Sequence, residues 1–140
     1  MPTIQINTSA LPVPKRRAVA VRLTRWLSAR GVRPAHVVVR FAEDPPGTVF
    51  TGGMPVEALP HDPGALRHAS VVCCVSPERD AHFRLELADE IAQALGMTER
   101  TPFLHIDFRT TAPSDVYLAI GGRMTRADEV APVPHRGETT

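Results

Sequence analysis

With two cysteines, one tryptophan and one tyrosine in 140 residues, and a formal charge of only +1, this sequence lacks many of the usual functional handles. Cys73 and Cys74 are adjacent in an apolar run. Neighbours in a strand point to opposite faces, which excludes an ordinary disulfide between them, and two vicinal thiols lack the spacing of a zinc site. Sixteen Lys+Arg balance fifteen Asp+Glu, so there is no basic surplus to hold a nucleic acid and no single-sign tail. No apolar run approaches the roughly 20 residues of a membrane span. The opening MPTIQINTS lacks the basic-then-apolar order of a secretory leader. A glycine-rich phosphate loop, a G-x-S-x-G elbow and an H-E-x-x-H pair are all missing. His61 and His68 have no third ligand at metal spacing. These absences predict a cytoplasmic protein with no membrane partner, no nucleic acid, no metal and no cofactor.

What is present is proline, fourteen of them, and one stands in second place. Cytosolic aminopeptidases commonly clip Met1 before a proline. The mature chain would then begin with Pro2, whose free nitrogen is a secondary amine that no internal residue can supply. Such an amine titrates within reach of neutral pH, and nearby cations lower its pKa further. It can serve as base or nucleophile. The feature gains weight only if the rest of the chain builds a pocket around it.

The chain is written twice. Thr3 to Thr8 alternates as a strand, and a helical pattern from Lys15 to about Arg30 puts Val19, Leu23, Trp26 and Leu27 on one face. Gly31 is a C-cap signal, and His36 to Phe41 reads as a second strand. The second half repeats the order with Ser70 to Val75, then a helix ending at Gly96, then Phe103 to Phe108. Ser76 is the predicted N-cap of that helix, with Pro77 at its first position and Arg79 in its first turn. Gly52-Gly53 is echoed by Gly121-Gly122 at an offset close to seventy. This self-similarity predicts a duplicated β-α-β unit. The fold class is α/β (α+β), a four-stranded sheet with two helices on one face. The expected organisation is one domain over 1–124, with repeats at about 2–54 and 70–124 and a linker at 55–69. Residues 125–140 are expected as a tail or an arm on a neighbour. The open face of the sheet reads as apolar, because the run from Val71 to Val75 is apolar on both sides, and this predicts burial by further copies of the chain.

The Pro2 start, the doubled β-α-β and the VFTGG stretch together resemble the tautomerase superfamily, the group of 4-oxalocrotonate tautomerase and macrophage migration inhibitory factor. The stretch VVVRFAEDPPGTVFTGG, residues 37–53, is most similar to its cis-3-chloroacrylic acid dehalogenase branch of fused chains. The resemblance spans about residues 2–124. It implies a homotrimer with the amino-terminal proline at the base of a pocket between subunits. It implies Pro2 as general base, or as acid in dehalogenating members, and Arg79 as the holder of a substrate carboxylate. A guanidinium suits that task because its forked donors meet two oxygens at once. Phe50 matches an aromatic residue packed near the proline. His105 and Asp107, two apart on a strand and so on one face, match polar pocket positions, with Arg109 close by as a further lining candidate.

The departures from that branch count too. Ser76 stands where it has a first arginine, Leu27 for its helix histidine, Asp107 for its tyrosine and Ile120 for its water-activating glutamate. Hydrolytic dehalogenation is therefore disfavoured. The expected activity is a cofactor-independent tautomerase or isomerase acting on a small keto or enol carboxylate, with Pro2, Arg79 and His105 catalytic and Phe50, Asp107 and Arg109 binding substrate. Two alternatives stay open at this point. One is iminium chemistry at Pro2, giving hydration, dehalogenation, decarboxylation or carbon–carbon bond reactions. The other is a non-catalytic binding module. A buried Asp107 paired with the Pro2 ammonium would raise the amine's pKa and oppose base catalysis.

Overall fold

The computed structural model describes residues 2–130. Strand β1 (Thr3–Thr8) leads into helix α1 (Val13–Ser28), a 3-10 turn (Pro34–His36) and strand β2 (Val38–Glu43). A small hairpin, β3 (Phe50–Thr51) and β4 (Met54–Pro55), closes the first half. The second half runs β5 (His68–Val75), α2 (Ala81–Leu95), β6 (Phe103–Thr110) and a hairpin of β7 (Tyr117–Ile120) and β8 (Arg123–Arg126).

One sheet in the order β2-β1-β5-β6 joins the halves. The outer pairs are parallel, Thr3 opposite Val38 and His68 opposite Phe103, a spacing of 35 residues in both. The central pair is antiparallel, with Ile6 opposite Val71. Position 71 lies 65 residues beyond position 6, the same step that carries Thr3 to His68. The register itself thus encodes a pseudo-twofold axis through Ile6 and Val71, and the duplication read from the sequence is a duplication in space. Both hairpins turn through two consecutive glycines with positive φ, Gly52 and Gly53 at 58° and 80°, Gly121 and Gly122 at 58° and 78°. Two left-handed residues in succession match the right-handed twist of a hairpin, and glycine adopts them without strain.

The core fills the helix-covered face. Ile4, Ile6, Val71 and Cys73 from the central strands meet Leu23 and Leu27 of α1 and Leu87, Ile91 and Leu95 of α2. The open face differs from the expectation of an apolar sheet. Val38, Val72 and Cys74 are there, but so are Gln5, Arg40, Ser70, His105, Asp107 and Arg109. The run from Val71 to Val75 is apolar on both sides, as its sequence says, yet the strands beside it present polar residues outward. The segment expected as a linker is also more structured than expected. Val56 and Leu66 are buried, and His68, the first residue of β5, is buried too. Its imidazole lies 3.6 Å from Asp44. Residues 125 and 126 complete β8 and 127–129 form a 3-10 turn, while 131–140, the rest of the expected tail, lie outside the described residues.

Helix α2 starts later than predicted. Asp80, not Ser76, is its N-cap, and the Asp80 carboxylate accepts the Phe83 N–H at 2.8 Å. Ser76 instead tightens the turn out of β5, accepting the Arg79 N–H at its carbonyl. Arg79 therefore precedes the helix rather than lying in its first turn. Asp80→Ala is expected to lower stability by about 1 kcal/mol in urea denaturation, and Ser76→Ala by less than about 0.5 kcal/mol; equal losses would return the cap to Ser76. Burial, with Cys74 and Asp107 nearby, pushes the Cys73 thiol up to about 12. A thiol reagent at pH 8 should accordingly titrate no more than one cysteine per native chain and both in urea; two fast thiols in the native protein would contradict this core.

Candidate functional site

Parallel pairing determines what surrounds Pro2. The starts of β1 and β2 lie at one edge of the sheet, and the Val38 N–H donates to the Pro2 carbonyl at 3.4 Å. The antiparallel partner β5 brings its end to the same edge, so Val75 and the turn into α2 arrive beside Pro2. Pro2 is buried on the helix-covered side, in step with Ile4 and Ile6. It lines a cavity of about 590 Å³. Leu27, Val32, Val75 and Phe83 form its apolar walls. Its charged and titratable lining is Arg33 and His36 before β2, Glu78 and Arg79 after β5, and Asp128 after β8.

Each polar group has a definite setting. Arg79 is half-buried with its guanidinium stacked 4.5 Å over the Phe83 ring. No carboxylate stands within ion-pair distance of it among the described residues. Stacking holds the planar fork while leaving its donor edge open to an anion. Asp128 is neutralised by Arg126 at 2.6 Å. His36 is half-buried, and its ring has no hydrogen-bond partner among the described residues. Burial holds its pKa below the usual imidazole value, with the Arg33 guanidinium and the positive charge of the chain's amino terminus adding to the effect. The lowered pKa favours the neutral imidazole.

Of the six residues singled out in the sequence, the fold brings Pro2 and Arg79 to one cavity. His105, Asp107 and Arg109 lie together on the open face of β6, with Asp107 and Arg109 3.5 Å apart and both well exposed. Pro2 points to the opposite face, so within one chain Asp107 does not meet the amine. Phe50 sits on the β3–β4 hairpin, 58% exposed and away from the Pro2 cavity of its own chain. Sequence reasoning missed Arg33 and His36. A signal was available, because a parallel β-α-β unit always places the residues before its second strand beside the start of its first. No cluster of three metal-binding side chains occurs among the described residues.

No protein-family model matches the chain, and no curated protein matches it in sequence. Solved structures do match it in shape. A member of the cis-3-chloroacrylic acid dehalogenase (cis-CaaD) family superposes with a TM-score of 0.65 at 15% identity, over 87% of this chain and 82% of that one. A fused 4-OT described as a symmetric trimer gives 0.64 at 17%, over 91% and 99%. FG41 malonate semialdehyde decarboxylase inhibited by 3-bromopropiolate gives 0.61 at 15%, over 85% and 90%. The chain shares its two-unit fold with these solved structures. No helix among the described residues is long and apolar enough to cross a membrane.

The His36 environment is directly measurable. Its imidazole should titrate by NMR with a midpoint below 6.5, and Arg33→Gln should move that midpoint upward; a midpoint above 6.5 would contradict the cationic, half-buried setting.

Proposed function

We propose that this protein is a cofactor-independent tautomerase or isomerase acting on a small keto or enol carboxylate, with Pro2 as its proton-transfer group. The observation that carries the reading is the burial of Pro2 in a cavity that also holds an unpaired, stacked Arg79. Removal of Met1 in the cytoplasm would free a secondary amine there. Burial and the guanidiniums of Arg33 and Arg79 favour its uncharged form, and the carboxylate of Glu78 opposes them. An uncharged amine beside a carboxylate-binding fork is suited to moving a proton between carbon and oxygen of an enolisable acid. Arg79 would anchor the carboxylate by paired hydrogen bonds, holding the reacting carbon near the amine.

The match to a trimeric fused 4-OT supports a homotrimer for this chain as well. In such an assembly the open-face residues His105, Asp107 and Arg109 and the exposed Phe50 would contribute from a subunit interface, where the resemblance puts the proline pocket. Loss of the glutamate and histidine positions of the dehalogenase branch, here Ile120 and Leu27, favours simple proton transfer over hydrolysis.

Ketonisation of phenylenolpyruvate, followed in the ultraviolet with Met1 removal confirmed by intact mass, tests the reading. Pro2→Ala should lower kcat at least about 100-fold. Arg79→Gln should act mainly on KM, because it removes a contact made equally to ground state and transition state. A Pro2→Ala protein with the wild-type rate would overturn the assignment.

A further inference from the structure

The Pro2 amine has a neighbour that its assigned role does not use. His36 precedes β2, and the Val38 N–H to Pro2 carbonyl bond ties that segment to the start of β1. The 3-10 turn at Pro34–His36, closed by the His36 N–H on the Arg33 carbonyl at 2.9 Å, fixes the backbone from which the ring projects. The imidazole lines the Pro2 cavity and has no partner among the described residues. It also lines an adjoining trough formed with Ala119, Ile120 and Gly121 of the β7–β8 hairpin.

We propose that His36 is the second proton-handling group of this site, exchanging a proton with the substrate oxygen while the Pro2 amine exchanges one with the substrate carbon. This rests on the reading of Pro2 as the working amine. In ketonisation the enol O–H proton passes to the His36 ring nitrogen, and the O–H electron pair becomes the new C=O bond. In this direction the form that turns over is the fraction whose Pro2 is protonated, which the Glu78 carboxylate helps to maintain, and the C=C pair takes its proton from that ammonium. The site is left with an imidazolium and a neutral amine, and the imidazolium returns its proton to the amine through solvent. No proton is gained or lost overall, and no co-reactant is needed.

The surroundings of the ring favour this division. Facing His36 are Arg33 on its own segment, the amine at the start of β1, Arg79 and Glu78 from the turn after β5, and Asp128 from the turn after β8. Asp128 is engaged by Arg126, so among the described lining residues the remaining carboxylate is Glu78. An imidazole whose neutral form is favoured is ready to accept the enol proton, and once charged it is a strong enough acid to give that proton up. Two groups at two atoms also spare the amine from travelling between oxygen and carbon within one turnover.

The test uses the Met1-free protein and phenylenolpyruvate, with His36→Gln, His36→Ala and Pro2→Ala compared against wild type. His36→Gln should lower kcat about 100-fold with KM changed less than about threefold, while the thermal midpoint stays unchanged. Wild-type kcat should fall on the acid side with a midpoint below 6.5, and that limb should vanish in His36→Gln. Added imidazole should restore part of the rate to His36→Ala. Full kcat and an unaltered acid limb in His36→Gln, beside an inactive Pro2→Ala, would overturn the role of His36 and leave Pro2 in place. Wild-type turnover in Pro2→Ala, or no turnover in the wild type, would overturn the Pro2 reading and this inference with it.

Discussion

The antiparallel pairing of β1 with β5 is the constraint on which the rest of this structure depends. Each β-α-β unit alone has a two-stranded sheet and one helix, too little to exclude water from either. The central pairing sets Ile4 against Cys73 and Ile6 against Val71, and all four side chains are almost completely buried. It brings α1 and α2 side by side over the same face, where Leu23, Leu27, Leu87 and Ile91 close the core. At about 25 cal/mol per Å² of apolar surface removed from water, such shared burial supplies what neither unit has alone. The same pairing has a chemical consequence. It runs the end of β5 past the start of β1, so Pro2 is met by the loop that carries Arg79, 77 residues further on.

Much of this was legible in the sequence, because the patterns involved are local. Alternation over Thr3–Thr8 and the four-residue spacing of Phe83, Leu87, Ile91 and Leu95 need only the pleat and the helix to be read. The two Gly-Gly pairs were visible in the sequence as an echo between the halves, and in the fold each turns a hairpin with both residues at positive φ. The N-terminus of α2 was misplaced for a reason that is also local. Ser76-Pro77 and Asp80 both carry cap chemistry, and the choice between them was made by β5, which stays in the sheet as far as Val75 and needs the next residues to turn.

The nature of the site was less legible. His36 and Arg33 carry no motif, and they acquire meaning only from the register that puts the entry to β2 beside Pro2. His105 and Asp107 were read as pocket residues from the resemblance, and as expected they share a face of β6. The face is the open one, and sequence alternation states that two residues agree in direction without stating which direction it is. The outward surface was overread for a related reason. An apolar central strand suggests an apolar sheet, but a face is built across strands, and Gln5 and Asp107 flank Val72 there.

The pseudo-twofold invites a comparison of the Pro2 corner with its counterpart in the second unit. The position related to Pro2 by the 65-residue step is Arg67, which enters β5 as Pro2 enters β1. Arg67 cannot offer an amine, since its nitrogen is an internal amide. Its side chain is half-buried and lies 3.3 Å from the His61 ring, occupying the corresponding end of the sheet. Nearby, the Thr101 hydroxyl donates to the Leu66 carbonyl at 2.8 Å, at the position that corresponds to His36. The second unit has therefore turned into packing and hydrogen bonds what the first leaves open. The fold supplies the walls and the stacked guanidinium, and on the proposed reading the corners differ because removal of Met1 would give the first a secondary amine that the internal Arg67 cannot match.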